Sequence, residues 1–105
     1  LSYMPDALRV KPMVDLGELW ARSYLVFTVL DRPGVLGHIA SALGESGISI
    51  ESVLQKGQSR SEGSVPIVVL THPAQELAIQ QAIAEIDRLP EVTAGTRLVR
   101  IEEDL

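Results

Sequence analysis

The sequence predicts an α+β sandwich in which one layer is an antiparallel sheet and the other a pair of helices. Three observations carry that prediction. Residues 24–30 (YLVFTVL) and 65–71 (VPIVVLT) are dense in β-branched and aromatic side chains. They are apolar at consecutive positions, as strands inside a sheet are. Two longer stretches, beginning near positions 35 and 74, instead repeat their apolar residues at helical spacing, which is the pattern of helices with one buried side. The two kinds of segment follow one another in the order βαββαβ.

Each element has a local reason. Residues 1–22 read as a segment arriving from elsewhere: Pro5 and Pro12 interrupt it, and residues 15–22 are compatible with a short helix carrying Leu16, Leu19 and Trp20 on one side. The first strand, 24–30, is broken by Asp31-Arg-Pro-Gly34. Leu36, Ile39, Ala40 and Leu43 then form a core-facing helical stripe, and Gly44 and Gly47 punctuate its end. Residues 48–56 alternate, with Ile48, Ile50 and Leu54 opposed to Ser49, Glu51 and Gln55, so a second strand is expected with Ser49 and Gln55 on one face. The glycine-bracketed polar run 57–63 reads as a hairpin loop. In the third strand, 65–71, Pro66 suggests an edge or a bulge. His72-Pro73 ends it, with Pro73 suited to the first position of a helix over 74–89 whose buried stripe is Ile79, Ala82, Ile83 and Ile86. Pro90 stops that helix, and a last strand over 92–101 carries Leu98, Val99 and Ile101. Residues 102–105 are a charged, solvated tail.

This order makes a split βαβ, ferredoxin-like unit: a four-stranded antiparallel sheet with both helices on one face, because crossovers are right-handed. The other face stays open. The first and third strands are too apolar to leave it in water, so a homodimer or a second domain is expected to cover it.

Composition narrows the function. With 14 acidic and 9 basic residues the net charge is −5, the wrong sign for a nucleic-acid partner. There is no cysteine, hence no disulfide, thiolate metal site or cysteine nucleophile. No apolar run approaches the ~20 residues of a membrane span, and the first residues do not form a signal peptide. A cytoplasmic chain is expected. Because it starts with Leu1, it is expected to be a fragment of a longer protein.

No catalytic pattern is present: neither a G-x-S-x-G elbow nor a dinucleotide-binding G-x-G-x-x-G. The two histidines, His38 and His72, have no clustered carboxylates, so no metal site is expected. His38 reads as a surface or interface residue and His72 as a strand end. The chain contains no Asn, which argues against a stand-alone acylphosphatase-like enzyme of this fold. What remains is the turn before the first helix. A Pro-Gly pair there leaves the N–H groups of Gly34, Val35 and Leu36 without helical partners, an arrangement that attracts a carboxylate. Charge-assisted bonds of this kind contribute roughly 1.5–3 kcal/mol each. Asp31 can cap the helix or reach a ligand.

The run DRPGVL at 31–36 followed by GISI at 47–50 resembles the ACT domain, a module that binds amino acids and regulates metabolic enzymes. The resemblance extends from residue 24 to about residue 102. The longer phrases VLDRPGVLGHIASALGESGISIESVLQKG and VPIVVLTHPAQE are similar to the C-terminal regulatory domain of homoserine dehydrogenases. The resemblance implies a regulatory domain over 23–105 and, over 1–22, a linker from a catalytic domain that uses NAD(P). It implies feedback inhibition by free threonine in threonine, methionine and isoleucine biosynthesis, through a homodimer of ACT domains. It also implies a binding site: Gly34, Val35 and Leu36 for the carboxylate, Asp31 for the amino group or another polar group of the ligand, and Ser49 and Gln55 as further contacts. Many ACT domains carry Asn at the position of Ser49, where it reaches a ligand, often across the dimer interface. The shorter Ser leaves open a domain that only dimerises, and an ACT domain of another amino-acid-biosynthesis enzyme is the other alternative.

Overall fold

The axis of the sheet is β1 (Trp20–Leu30). In a computed structural model, which describes residues 18–55 and 63–101, it is paired along both sides. β3 (Ser64–Thr71) runs antiparallel on one side, from Tyr24 opposite Leu70 to Leu30 opposite Ser64. β5 (Val92–Ile101) runs antiparallel to it from Arg22 opposite Ile101 to Val29 opposite Val92. β2 (Ile50–Gln55) lies outside β3, again antiparallel. The expected four-stranded antiparallel sheet is therefore present in the order β2-β3-β1-β5, and a two-residue strand, β4 (Ala74–Gln75), adds to it at Trp20 and Ala21.

The pleat sorts β1 into two faces. Leu25, Phe27 and Val29 are buried and stand opposite Val69, Ile67 and Val65 of β3, which are buried too. Against this face pack Val35, Ile39 and Leu43 of α1 (Val35–Glu45) and Ile79, Ala82 and Ile86 of α2 (Glu76–Asp87). Both helices thus cover the same face. Each large apolar side chain so buried contributes about 1.5–3 kcal/mol. Two polar residues, Ser23 and Thr71, are buried with the core, where the Ser23 backbone N–H donates to Thr71 Oγ1 at 3.1 Å. α1 closes on Gly47, at φ +78, with the Ile48 N–H donating to the Leu43 carbonyl at 3.0 Å. Gly44 lies inside the helix.

Several boundaries differ from the sequence reading. Trp20 to Arg22 are extended, pairing with β4 and β5, so the short helix expected over 15–22 does not include them. Residues 15–17 lie outside the described residues, as do the tail 102–105 and all of the 57–63 loop except Gly63. Pro73 is not the first helical residue. Ala74 and Gln75 stay extended because they resume the pairing with β1 that β3 leaves at Thr71, and α2 starts only at Glu76. β3 is an inner strand, but the described part of β2 ends with Gln55 opposite Ile67, one residue short of Pro66. β2 itself starts at Ile50, and its register against β3 slips between Ile50 and Ser52. That bulge inserts one residue and reverses the expected faces beyond it: Gln55 pairs with Ile67, on the helix side.

Glu76 opens α2, where a negative charge complements the helix dipole. Arg100 of β5 grips it with two bonds, Nε to Oε1 at 2.6 Å and Nη2 to Oε2 at 2.7 Å. That guanidinium holds the Glu76 carboxyl below its ordinary range. A lowered native value means stability that is present above the unfolded-state value and lost as pH falls through the native one. Replacing Arg100 by Leu is expected to lower stability by about 0.5–1 kcal/mol above roughly pH 5 and to make little difference below roughly pH 3. Urea midpoints measured across that range check it, and a deficit independent of pH would exclude the ion pair as its cause.

Candidate functional site

The site forms where β1 runs out. Its last residue donates the Leu30 N–H to the Glu91 carbonyl at 2.8 Å, and the Asp31 N–H donates to the Gly63 carbonyl at 3.0 Å. A tight turn follows, in which the Arg32 N–H reaches back to the Leu30 carbonyl at 3.0 Å. Gly34 is the N-cap of α1 with φ +88, a left-handed conformation that an L side chain adopts only at a cost. Its carbonyl accepts the His38 N–H at 3.0 Å. Gly34, without a side chain, supplies no side-chain cap of its own. The Val35 N–H makes a long 3.4 Å contact with the Arg32 carbonyl, and the amides of Leu36 and Gly37 find no acceptor among the described residues. These N–H groups give the helix end its positive character.

A cleft of about 350 Å³ opens beside this turn, near the lower end of the range for small-molecule sites. Asp31, Arg32, Pro33, Gly34, Val35 and Leu36 form one side. Gln55 of β2 stands across from them, and Val29, Leu30 and Ile67 complete the lining. Five of the six residues singled out in the sequence, Asp31, Gly34, Val35, Leu36 and Gln55, therefore meet here. The sixth does not. Ser49 is exposed at the far end of α1, where its carbonyl accepts the His72 N–H at 2.9 Å. Gln55 lies six residue steps further along, roughly 20 Å, so within one copy the two cannot touch the same small molecule. Their shared face was expected from simple alternation, which the β2 bulge interrupts.

Arg32 lines the cleft without having been singled out, although it lies inside the quoted turn. A second contact had no local signal at all. His38 is exposed, as expected, but its Nδ1 is 2.7 Å from Glu91 Oε2, 53 positions away in sequence. The Glu91 carboxyl is held below its ordinary range by its own backbone amide and by His38. His72 follows β3 and lies 3.6 Å from Glu51, which is also bonded to Arg22 at 2.7 Å.

The cleft offers backbone amides and a cation, Arg32, to a negative group, one carboxylate, Asp31, to a positive group, and the side-chain amide of Gln55 to a hydroxyl or amide. This is the donor set for a small zwitterion. Among the described residues no group of three or more His, Asp or Glu is placed to hold a metal ion, and no helix is long and apolar enough to cross a membrane.

The ACT domain family model matches residues 23–91. The chain belongs to the ACT domain family. The homoserine dehydrogenase of Pseudomonas aeruginosa is 36% identical to this ACT domain over 103 residues, which are 98% of this chain and 24% of that protein. The homoserine dehydrogenase of Methylobacillus glycogenes is 35% identical, over 98% of this chain and 25% of its own length. The crystal structure of a homoserine dehydrogenase from Thiobacillus denitrificans superposes with a TM-score of 0.80 at 32% identity, covering 95% of this chain and 22% of that one. The ACT domain thus spans about a quarter of the length of the relatives it matches. It is a regulatory module related to homoserine dehydrogenase, not the catalytic part.

Two neighbouring glycines separate backbone strain from helix propensity. A Cβ at Gly34 or at Gly37 meets nothing within 4 Å, but only Gly34 has positive φ. Gly34→Ala is expected to lower stability by about 1–2 kcal/mol, and Gly37→Ala to raise it by about 0.5–1 kcal/mol. Thermal melts of both variants check this; shifts of the same sign would contradict the assigned N-cap geometry.

Proposed function

We propose that this ACT domain binds free threonine in the cleft beside Asp31–Leu36 and transmits feedback inhibition to a cytoplasmic homoserine dehydrogenase that carries it. The observation that supports this reading best is the convergence of Asp31, the open amides at the start of α1 and Gln55 on one amino-acid-sized cleft. In this reading the amides of Gly34, Val35 and Leu36 hold the carboxylate, Asp31 takes the ammonium, and Gln55 meets the side-chain hydroxyl. The NAD(P) of the parent enzyme belongs to its catalytic part, with residues 1–22 linking that part to the regulatory domain at 23–105. Inhibition then follows if threonine favours one arrangement of the parent over another, by no more than its difference in affinity for the two.

The domain acts as a homodimer. The face of the sheet away from the helices carries Leu54, Val68 and Val26 in one cross-strand row and Leu70, Tyr24 and Val99 in the next. Tyr24, Leu54 and Val99 are 42%, 57% and 55% exposed, a clustering of apolar side chains on one face that suits an interface. Arg22 and Glu51, opposite in charge, lie at one end of it, which suits a second copy better than a partner of one sign. A domain that only dimerises is the second reading, favoured by Ser49 lying outside the cleft.

Titration calorimetry with millimolar threonine decides between the two readings. Saturable heat is expected, with a rise in melting temperature worth about 2.7 kcal/mol when the ligand stands at 100 times its dissociation constant. Absence of both rules out threonine as the effector. Sedimentation is expected to find a dimer that Val99→Glu converts to monomer; a monomeric wild type, or a variant that stays dimeric, rules out this face as the interface.

A further inference from the structure

We propose that the corner formed by Leu19, Trp20 and Leu77 is where this domain rests on the catalytic part of its own polypeptide, through an apolar contact. The inference rests on the reading of the chain as the regulatory part of a longer homoserine dehydrogenase, and not on threonine as its effector. Three large apolar side chains lie at this corner and stay in water: Leu19 is 47% exposed, Trp20 64% and Leu77 56%. Trp20 is the one tryptophan of the chain. The backbone brings them together. Trp20 pairs with Gln75 of β4, the Glu76 N–H donates to the Leu19 carbonyl at 2.9 Å, and Leu77 follows in the first turn of α2. β3 pairs with β1 no further than Tyr24, and beyond it β4 and β5 hold Trp20 to Arg22. The corner is thus presented from a paired backbone.

What covers the corner has to reach both layers of the sandwich. By alternation from the buried Ser23 and Leu25, Trp20 stands on the open face of the sheet, whereas Leu77 belongs to the helix layer. A second copy lying on the open face reaches Trp20 but not Leu77. The ion pair of Arg22 and Glu51 also stands between Trp20 and the patch of Tyr24, Leu54 and Val99. A charged partner is not favoured either. The ion pairs on the two sides of the corner, Glu51 with Arg22 and Glu76 with Arg100, are closed, so neither lends it a net charge. An apolar partner comes with the enzyme itself. The 103 matched residues are 24% of the Pseudomonas aeruginosa homoserine dehydrogenase, so roughly three quarters of such an enzyme lies outside this domain. With residues 1–22 as the link, that part arrives beside the start of β1, where the corner is. A contact between domains of one chain ordinarily buries roughly 600–1,500 Å². Tryptophan, which buries roughly 150–250 Å² by itself, is enriched at the centre of such contacts. β1 runs from this corner at Trp20 to the cleft turn after Leu30, so one strand bears on both.

Hydroxyl-radical footprinting, which reads the access of water to side chains, tests this on the full-length enzyme and on this 105-residue chain alone. Trp20 and Leu77 are expected to oxidise about three- to tenfold more slowly in the full-length enzyme. Equal rates in the two overturn the proposal: equally fast, the corner stays in water; equally slow, this chain or a second copy covers it. Trp20→Glu and Leu77→Glu supply a second measurement. Both are expected to leave the melting temperature of the chain alone within about 4 °C of the wild type, because both side chains are exposed there. In the full-length enzyme each is expected to return the other corner residue to the oxidation rate of the chain alone. A corner residue that stays protected in both variants overturns the proposal as well. If the footprint is as expected while threonine neither binds nor inhibits, the docking stands and the effector reading fails. If threonine binds and the footprints are equal, the docking alone fails.

Discussion

The positions of two backbone hydrogen bonds at the end of β1 determine what this domain can do. The Leu30 N–H is taken by Glu91 from one neighbouring strand's lead-in, and the Asp31 N–H by Gly63 from the other's. Because β1 lies between β3 and β5, these bonds continue its two ladders to the last possible residue, and the chain is then released into the turn at a fixed point. The apolar face behind them, Leu25, Phe27 and Val29, is locked into the core. The turn is therefore an extension of a strand paired along both sides. A left-handed Gly34 is tolerated there because the strand and the helix on either side are held independently.

How much of this could be read in the sequence follows from how local each cause is. The helical stripes and the apolar strands are visible because their side chains face one core with a fixed period, and the Asp31–Gly34 turn is visible because Pro and Gly restrict or release the backbone residue by residue. The β2 bulge is different. It arises from fitting β2 to β3 in space, and one inserted residue at Glu51 moves Gln55 to the helix side. Alternation in a single strand carries no trace of it. The same holds for Trp20–Ala21 and Ala74–Gln75, whose extended shape comes from pairing with each other across the domain, against a proline that favours a helix start. The His38–Glu91 contact joins residues that no period or spacing connects. Within the cleft, then, the turn was legible in the sequence and Gln55 was named through the family resemblance, whereas the bulge that turns Gln55 to the helix side and the place of Ser49 outside the cleft were not.

The sheet divides the labour of the domain between its faces. One face is filled by α1 and α2 and supplies stability. The other keeps Tyr24, Leu54 and Val99 exposed beside Val26, Val68 and Leu70. A small domain that buries only one side of its sheet has little stability to spare, so covering the second side with a partner adds apolar burial of the same kind that builds the core. Regulation through such a domain needs this economy: an interface whose strength is comparable with the binding free energy of a small ligand can be shifted by that ligand, whereas a much stronger one cannot.

Ser49 and Gln55 sharpen that point. They sit at opposite ends of β2 and its approach, roughly 20 Å apart, yet family resemblance links both to effector binding. In a monomer these facts conflict. A homodimer through the sheet face away from the helices does not remove the conflict, because Gln55 lies on the helix side of β2 and a two-fold interface uses one self-complementary patch. On the proposed reading the coupling between binding and quaternary arrangement therefore runs through β1, which presents Tyr24 on the open face and ends in the turn that lines the cleft.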